Sequence, residues 1–180
     1  MLKIDSTKAR ILSAPFLFVG RNHSPEWDTL EQTGSIQNNH LSPKRRGELA
    51  ELAFVYRAAS HGFGVAKPYG DSLPYDFLLQ HGRRLLRVQV KSCFKNRNTK
   101  HRYGFSVIVA RTSSKGITPY SPDEIDFVAA FIAPLDMWYL IPVVALGKRH
   151  SIRVYPLGKG QSFGGLFEQY REAWHLLKEE

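Results

Sequence analysis

Residues 74–92 read Pro74-Tyr75-Asp76-Phe77-Leu78-Leu79-Gln80-His81-Gly82-Arg83-Arg84-Leu85-Leu86-Arg87-Val88-Gln89-Val90-Lys91-Ser92. Their second half alternates, with Leu86, Val88 and Val90 on one face of a strand over 85–92 and Arg87, Gln89 and Lys91 on the other. His81-Gly82 is punctuated as a tight hairpin turn, so 75–79 forms the strand before it. Asp76 interrupts that earlier strand thirteen residues before Gln89. Folding the hairpin therefore brings Asp76 beside Gln89 and Lys91 at one edge of a sheet. A carboxylate, an amide oxygen and a lysine in such a cluster suit a hard divalent cation and a polarised water, with the Val90 carbonyl added from between the two side chains.

Upstream of the hairpin, Ser42 can cap a helix with Pro43 at its first position, and 44–60 is rich in Ala, Leu, Glu and Arg. Leu49, Leu52, Val55, Tyr56 and Ala59 recur at three- and four-residue spacing and predict its core stripe, with Gly62 as the stop. A strand over 63–67 and a turn-rich loop over 68–74 join that helix to the hairpin. Downstream come a basic loop over 95–102, a strand over 103–110, a hairpin near 126–146 and a strand over 152–155. A C-terminal helix is predicted from about Phe163, with Phe167, Tyr170, Trp174 and Leu177 on its core face. Residues 1–40 show no sustained period and read as a weakly ordered or peripheral segment, which leaves one domain over 41–180.

Composition narrows the function classes. With 180 residues, 43% of them hydrophobic, the chain has enough for one core and little room for two. One cysteine excludes a disulfide framework and a Cys-rich zinc site, and it fits a reducing, cytoplasmic setting. The net charge of +9 is unevenly spread: residues 1–40 sum to zero, 41–120 to +11 and 121–180 to −2. Such concentration points to a polyanionic partner, although a solvated basic surface has the same composition. The apolar run over 11–20 lacks a small-x-small cleavage pattern. The stretch over 127–146 is near bilayer length but holds Pro134, Asp136 and Pro142, and a central Asp costs about 2.5–3.5 kcal/mol on insertion. Its β-favouring flanks predict a buried hairpin and no membrane partner.

The basic middle stretch retains only four acids, Glu48, Glu51, Asp71 and Asp76. Acids facing phosphates repel them unless a metal bridges the two. Glu48 and Glu51 lie three apart on the same helix, and the helix alone does not choose between them. Asp71, in Gly70-Asp71-Ser72, is read as a turn former. Lys95, Arg97, Lys100 and Arg102 follow the Gln89–Lys91 strand, and Arg83, Arg84 and Arg87 precede or begin it. Phosphate contacts from these residues would position a duplex with salt-sensitive affinity and no sequence information. Neither a P-loop nor a nucleophile elbow is visible, and no small-molecule cofactor is expected.

Gly47-Glu48-Leu49-Ala50-Glu51, Gly62-Phe63, Pro74-Tyr75-Asp76 and Val88-Gln89-Val90-Lys91-Ser92 together resemble the PD-(D/E)XK nuclease superfamily. The resemblance is nearest to its group I intron-associated branch, and more distant to archaeal Holliday-junction resolvases. It is strongest over 41–110 and looser beyond, at Asp126, Trp138-Tyr139, Ile141-Pro142 and Tyr170…Trp174. It implies an α/β (α+β) fold of the restriction-endonuclease type, a mixed sheet flanked by helices, and Mg²⁺- (or Mn²⁺-) dependent hydrolysis of DNA. By that resemblance Asp76 is the main metal ligand, Gln89 a ligand through its amide oxygen, and Lys91 the residue that positions or activates water. Glu51, four residues after Gly47 and eleven before Gly62, meets the superfamily's spacing for a helix Glu that serves the metal directly or through water. Two departures stand out. Tyr75 rather than Pro precedes Asp76, and Gln89 replaces the usual acid, a change that the intron-associated branch accepts but that removes one charge from the site.

These readings lead to a metal-dependent endonuclease with DNA as partner and a homodimer as one way to cut both strands. The alternatives are a nucleic-acid-binding module that kept the scaffold without turnover, and a protein-interaction module.

Overall fold

The computed structural model describes residues 41–94, 104–114, 116–156 and 165–178. The segment over 1–40 and the basic loop residues Lys95, Arg97, Lys100 and Arg102 lie outside these.

Helix α1 (Pro43–Ser60) begins as its sequence dictates, with the Ser42 hydroxyl accepting from the Arg45 amide at 3.2 Å and Pro43 in the first turn. It ends at His61, and Gly62 follows at φ +84°, a left-handed conformation that glycine adopts without a Cβ penalty. Its buried stripe is Ala50, Phe54 and Ala58, not the expected one. Leu52 and Tyr56 are 63% and 75% exposed. The small residues let the helix approach the sheet closely, and Phe54 fills the space between, its ring 5.5 Å from both Phe77 and Trp138 and 6.0 Å from Trp174.

The main sheet is mixed. Strands β1 (Gly64–Ala66), β2 (Phe77–His81), β3 (Arg84–Cys93), β7 (Phe127–Ile132) and β8 (Met137–Pro142) stand in the order β1-β2-β3-β7-β8. Only β3 and β7 run parallel among these neighbours. The β2–β3 hairpin pairs Phe77 with Val88 and Leu79 with Leu86, and turns through Gly82 at φ +58°. Strand β7 is buried along its whole length and divides two cores by period-two alternation. Ala129 and Phe131 join α1, Leu86, Val88, Val90, Trp138 and Leu140 on one face. Val128, Ala130 and Ile132 join Tyr139 and Ile141 on the other. The second face is covered by an antiparallel ribbon and a short helix, and a second ribbon stands nearby in sequence, largely exposed. One ribbon pairs β4 (Phe105–Ile108) with β9 (Ser151–Val154), the other β5 (Ala110–Ser113) with β6 (Gly116–Pro119), and the helix is α2 (Val143–Leu146).

Residues 127–142 form the expected hairpin, turning through a 3₁₀ segment (Ala133–Leu135) and Asp136, while the last four residues of the predicted stretch, 143–146, are helix α2. No helix among the described residues is long and apolar enough to cross a membrane.

The predicted C-terminal helix is instead two 3₁₀ turns, Glu168–Tyr170 and Trp174–Leu177. Tertiary bonds override the helical period between them. Glu172 takes φ +48°, Arg171 bridges to Tyr139, and the Glu172 carboxylate accepts from the Trp138 amide at 2.7 Å and the Trp174 indole at 2.8 Å. Phe167, Trp174 and Leu177 are nonetheless buried, as their spacing required.

Candidate active site

The β2–β3 hairpin sets the geometry. The Asp76 amide donates to the Val88 carbonyl at 2.9 Å, which extends the ladder by one residue and fixes Asp76 at the mouth of β2. From there its Oδ2 accepts from the Val90 amide at 2.7 Å and from Nε2 of Gln89. The same Gln89 nitrogen stands 3.4 Å from the Val90 carbonyl oxygen. One amide head group thus touches both the carboxylate and the backbone oxygen expected beside it.

Gln89 is the single buried polar or charged residue among those described, 8% exposed. Its other end is also satisfied, Oε1 accepting from the Tyr120 hydroxyl at 2.9 Å. Tyr120 follows β6, and its ring lies 5.4 Å from the Lys91 ammonium and 5.5 Å from the Arg111 guanidinium. Arg111 is anchored in turn by Glu124 at 2.6 Å. Burial, aided by the Asp76 charge, raises the Tyr120 hydroxyl to about 12, so it keeps its proton at neutral pH.

Electrostatically the pair Asp76 and Lys91 sits uneasily. Burial pushes the Asp76 carboxyl above its usual range and the Glu51 charge adds to this, against the Val90 amide, Lys91 and Gln89. Burial likewise lowers the Lys91 amine, assisted by Arg111 and opposed by Asp76. The Coulomb attraction between the two offsets only part of that burial. Glu51 enters from α1, where Lys67 on the far side of the loop binds its Oε2 at 2.6 Å. Glu48 pairs instead with Arg45 at 3.2 Å on the exposed helix surface.

Beside the site lies a cleft of about 790 Å³ lined by Val90, Lys91 and Ser92 of β3, Arg46 and Gly47 of α1, and Thr112 of β5, whereas Glu51 lines a separate pocket with Glu48, Lys67 and Phe77. Arg46 was not singled out by the sequence, because nothing in a helical stretch of basic residues says which one faces a cleft. The Arg87 guanidinium is engaged within the protein, by Asp126 at 2.9 and 3.1 Å, the Pro122 carbonyl at 2.8 Å and the Asp123 carbonyl. Arg84 keeps a buried Nη1 without a hydrogen-bond partner, and Arg83 is exposed in the hairpin turn.

A model of the PD-(D/E)XK endonuclease family matches residues 41–177. The chain belongs to this family. Among solved structures, the PD-(D/E)XK chain is similar to a bacterial homing endonuclease, I-Ssp6803I, at 36% identity and a TM-score of 0.66, covering 77% of this chain and 94% of that one. A second, MepB, is similar at 13% identity with a TM-score of 0.37, over 60% of this chain and 83% of that one. No curated protein matches. The mixed sheet flanked by helical elements agrees with the fold of the homing endonuclease, and an endonuclease is what the family and that neighbour support.

Divalent metal ions are general in this family, and the donor set of this member fits one by its chemistry. No three His, Cys, Asp or Glu side chains cluster among the described residues. The site offers the oxygens of the Asp76 carboxylate and the Val90 carbonyl, both facing Nε2 of Gln89, with the Gln89 amide oxygen turned to Tyr120 and available to a cation on rotation of the amide; the Glu51 charge acts on Asp76.

Proposed function

We propose that this chain is a divalent-metal-dependent endonuclease that hydrolyses DNA in the cytoplasm. One observation carries the reading: the Gln89 amide head group meets both Asp76 Oδ2 and the Val90 carbonyl, so carboxylate, amide and backbone oxygen converge on one point. Asp76, Gln89 and the Val90 carbonyl would hold Mg²⁺ or Mn²⁺, with Glu51 reaching it directly or through water. When bound, the ion would polarise the scissile phosphate and lower the pKa of the attacking water. Lys91, with its amine lowered by burial, orients that water and relays its proton.

Arg46 faces the cleft beside Lys91 and holds a phosphate there. Lys95, Arg97, Lys100 and Arg102, which continue from the end of β3, supply further phosphate contacts, as do Arg83 and Arg84. A homodimer would present a second site to the opposite strand.

The test is cleavage of a mixed pool of duplex, branched and single-stranded DNA during a Mg²⁺ titration. Wild type cuts, and Asp76→Ala and Lys91→Ala each lose about 10²–10⁴-fold in rate while keeping the wild-type circular dichroism spectrum. DNA binding with no cleavage at any Mg²⁺ or Mn²⁺ concentration would reduce the chain to a binding module. Co-purification with a protein partner and no affinity for DNA would favour an interaction module.

A further inference from the structure

Tyr120 stands outside every motif the sequence displayed, yet it touches both Gln89 and Lys91. It is itself fixed. It is 7% exposed, it lies under Arg111, and the turn after it is closed by the Ser121 amide on Glu124 at 3.0 Å.

We propose that Tyr120 is a positioning residue whose hydroxyl governs which end of the Gln89 amide faces the cation site. This inference rests on the metal-dependent reading above. An amide has a donor end and an acceptor end, and only the acceptor end can ligate a cation. The structure shows the donor end turned to Asp76 and Val90, and Oε1 turned to Tyr120. Half a turn about the last side-chain torsion exchanges them, presenting Oε1 to the cation and Nε2 to Tyr120. A phenol hydroxyl serves either orientation, donating to Oε1 in one and accepting from Nε2 in the other. The exchange therefore loses no hydrogen bond on the Tyr120 side.

Removing the hydroxyl makes the two orientations unequal. Without it, the orientation shown leaves one buried amide oxygen under-satisfied, a defect proteins tolerate more readily than orphaned N–H groups. The ligating orientation leaves an Nε2 N–H buried without the acceptor that the hydroxyl supplied, so cation binding bears the larger penalty. A glutamate at the same position has two acceptor oxygens and no donors, so either of its ends can ligate. The hydroxyl then has no orientation to choose.

Calorimetric titration of Mn²⁺ into the full chain tests this on wild type, Tyr120→Phe, Gln89→Glu, the double variant and Asp76→Ala, with thermal unfolding recorded for each. Tyr120→Phe keeps the ring and removes one oxygen. It is expected to weaken Mn²⁺ binding roughly tenfold in the wild-type background. In the Gln89→Glu background the same change is expected to shift affinity less than about threefold, because coupling appears only where the two groups interact. Equal losses in both backgrounds would mean Tyr120 merely supports the fold, and would overturn the proposal. Unchanged affinity in Tyr120→Phe beside Asp76-dependent binding by wild type would overturn it and leave the metal site standing. No Asp76-dependent binding by wild type would overturn the metal site and this inference together.

Discussion

Lys91 and Asp76 are both held where neither ionises comfortably. Burial lowers the lysine and raises the carboxyl, so a site arranged for chemistry is a local weakness in the fold. Between its lowered folded value and the ordinary lysine value, the unfolded chain carries more protons on Lys91 than the folded one, so this group's contribution to stability rises with pH across that window. Asp76 has the opposite sign. Between the ordinary carboxyl value and its raised folded value the folded chain binds more protons, and its contribution falls as pH increases. Lys91→Met, which removes the buried charge and keeps the stem, is therefore expected to raise the melting temperature at pH 7 by about 2–4 °C per kcal/mol of desolvation relieved. Calorimetric scans of the two chains would show it, and a lower melting temperature would mean that the Asp76 attraction outweighs the burial.

Asp76, Gln89 and Lys91 were legible because strand alternation and a two-residue turn fix which side chains meet. Tyr120 was not. It lies 31 residues from Gln89 and reaches it around a ribbon whose docking no local spacing encodes.

At the scale of elements, the hairpin, the helix start and the buried strand pair followed from local rules, since caps, turns and alternation are local. The α1 stripe did not. Apolar residues occupy most of the helix between Leu49 and Ala59, so periodicity alone admits several faces. The deciding term was tertiary: the Phe54 ring meets Phe77, Trp138 and Trp174 from three distant segments. The C-terminal turns failed for the same reason, because Glu172 bonds to β8 in a way the aromatic spacing does not foretell.

Arg87, read from the sequence as a phosphate contact, is bound by a carboxylate of its own chain. Burial opposes ionisation of Asp126, but hydrogen bonds from the Arg87 side chain and backbone outweigh this and hold the carboxyl below its usual range. Arg87 thereby joins β3 to the start of β7, where the Asp126 amide returns a bond to the Arg87 carbonyl at 2.9 Å. Arg87→Ala is expected to destabilise the fold by about 1–3 kcal/mol by denaturant titration, through lost charge-assisted bonds. The salt dependence of DNA binding should stay unchanged. A slope reduced by about 0.9, the signature of one lost phosphate contact, would restore it to the binding surface.

For the molecule as a whole, charge and architecture converge. The family match spans 41–177, and the +11 of residues 41–120 falls within it. The sheet contributes the rigid element. Gln89 and Lys91 project from a strand paired on both sides, so their separation is set by backbone hydrogen bonds rather than by loop conformation. Asp76 is brought to them by the first bond beyond that ladder.

The central claim is that the Asp76 carboxylate, the Gln89 amide and the Val90 carbonyl hold one divalent ion. Anomalous diffraction from crystals grown with Mn²⁺ tests it most directly. A peak is predicted at about 2.0–2.3 Å from Asp76, Gln89 Oε1 and the Val90 oxygen, with the amide turned from the orientation described here. A peak at other residues, or none within reach of Asp76 at saturating Mn²⁺, would contradict it.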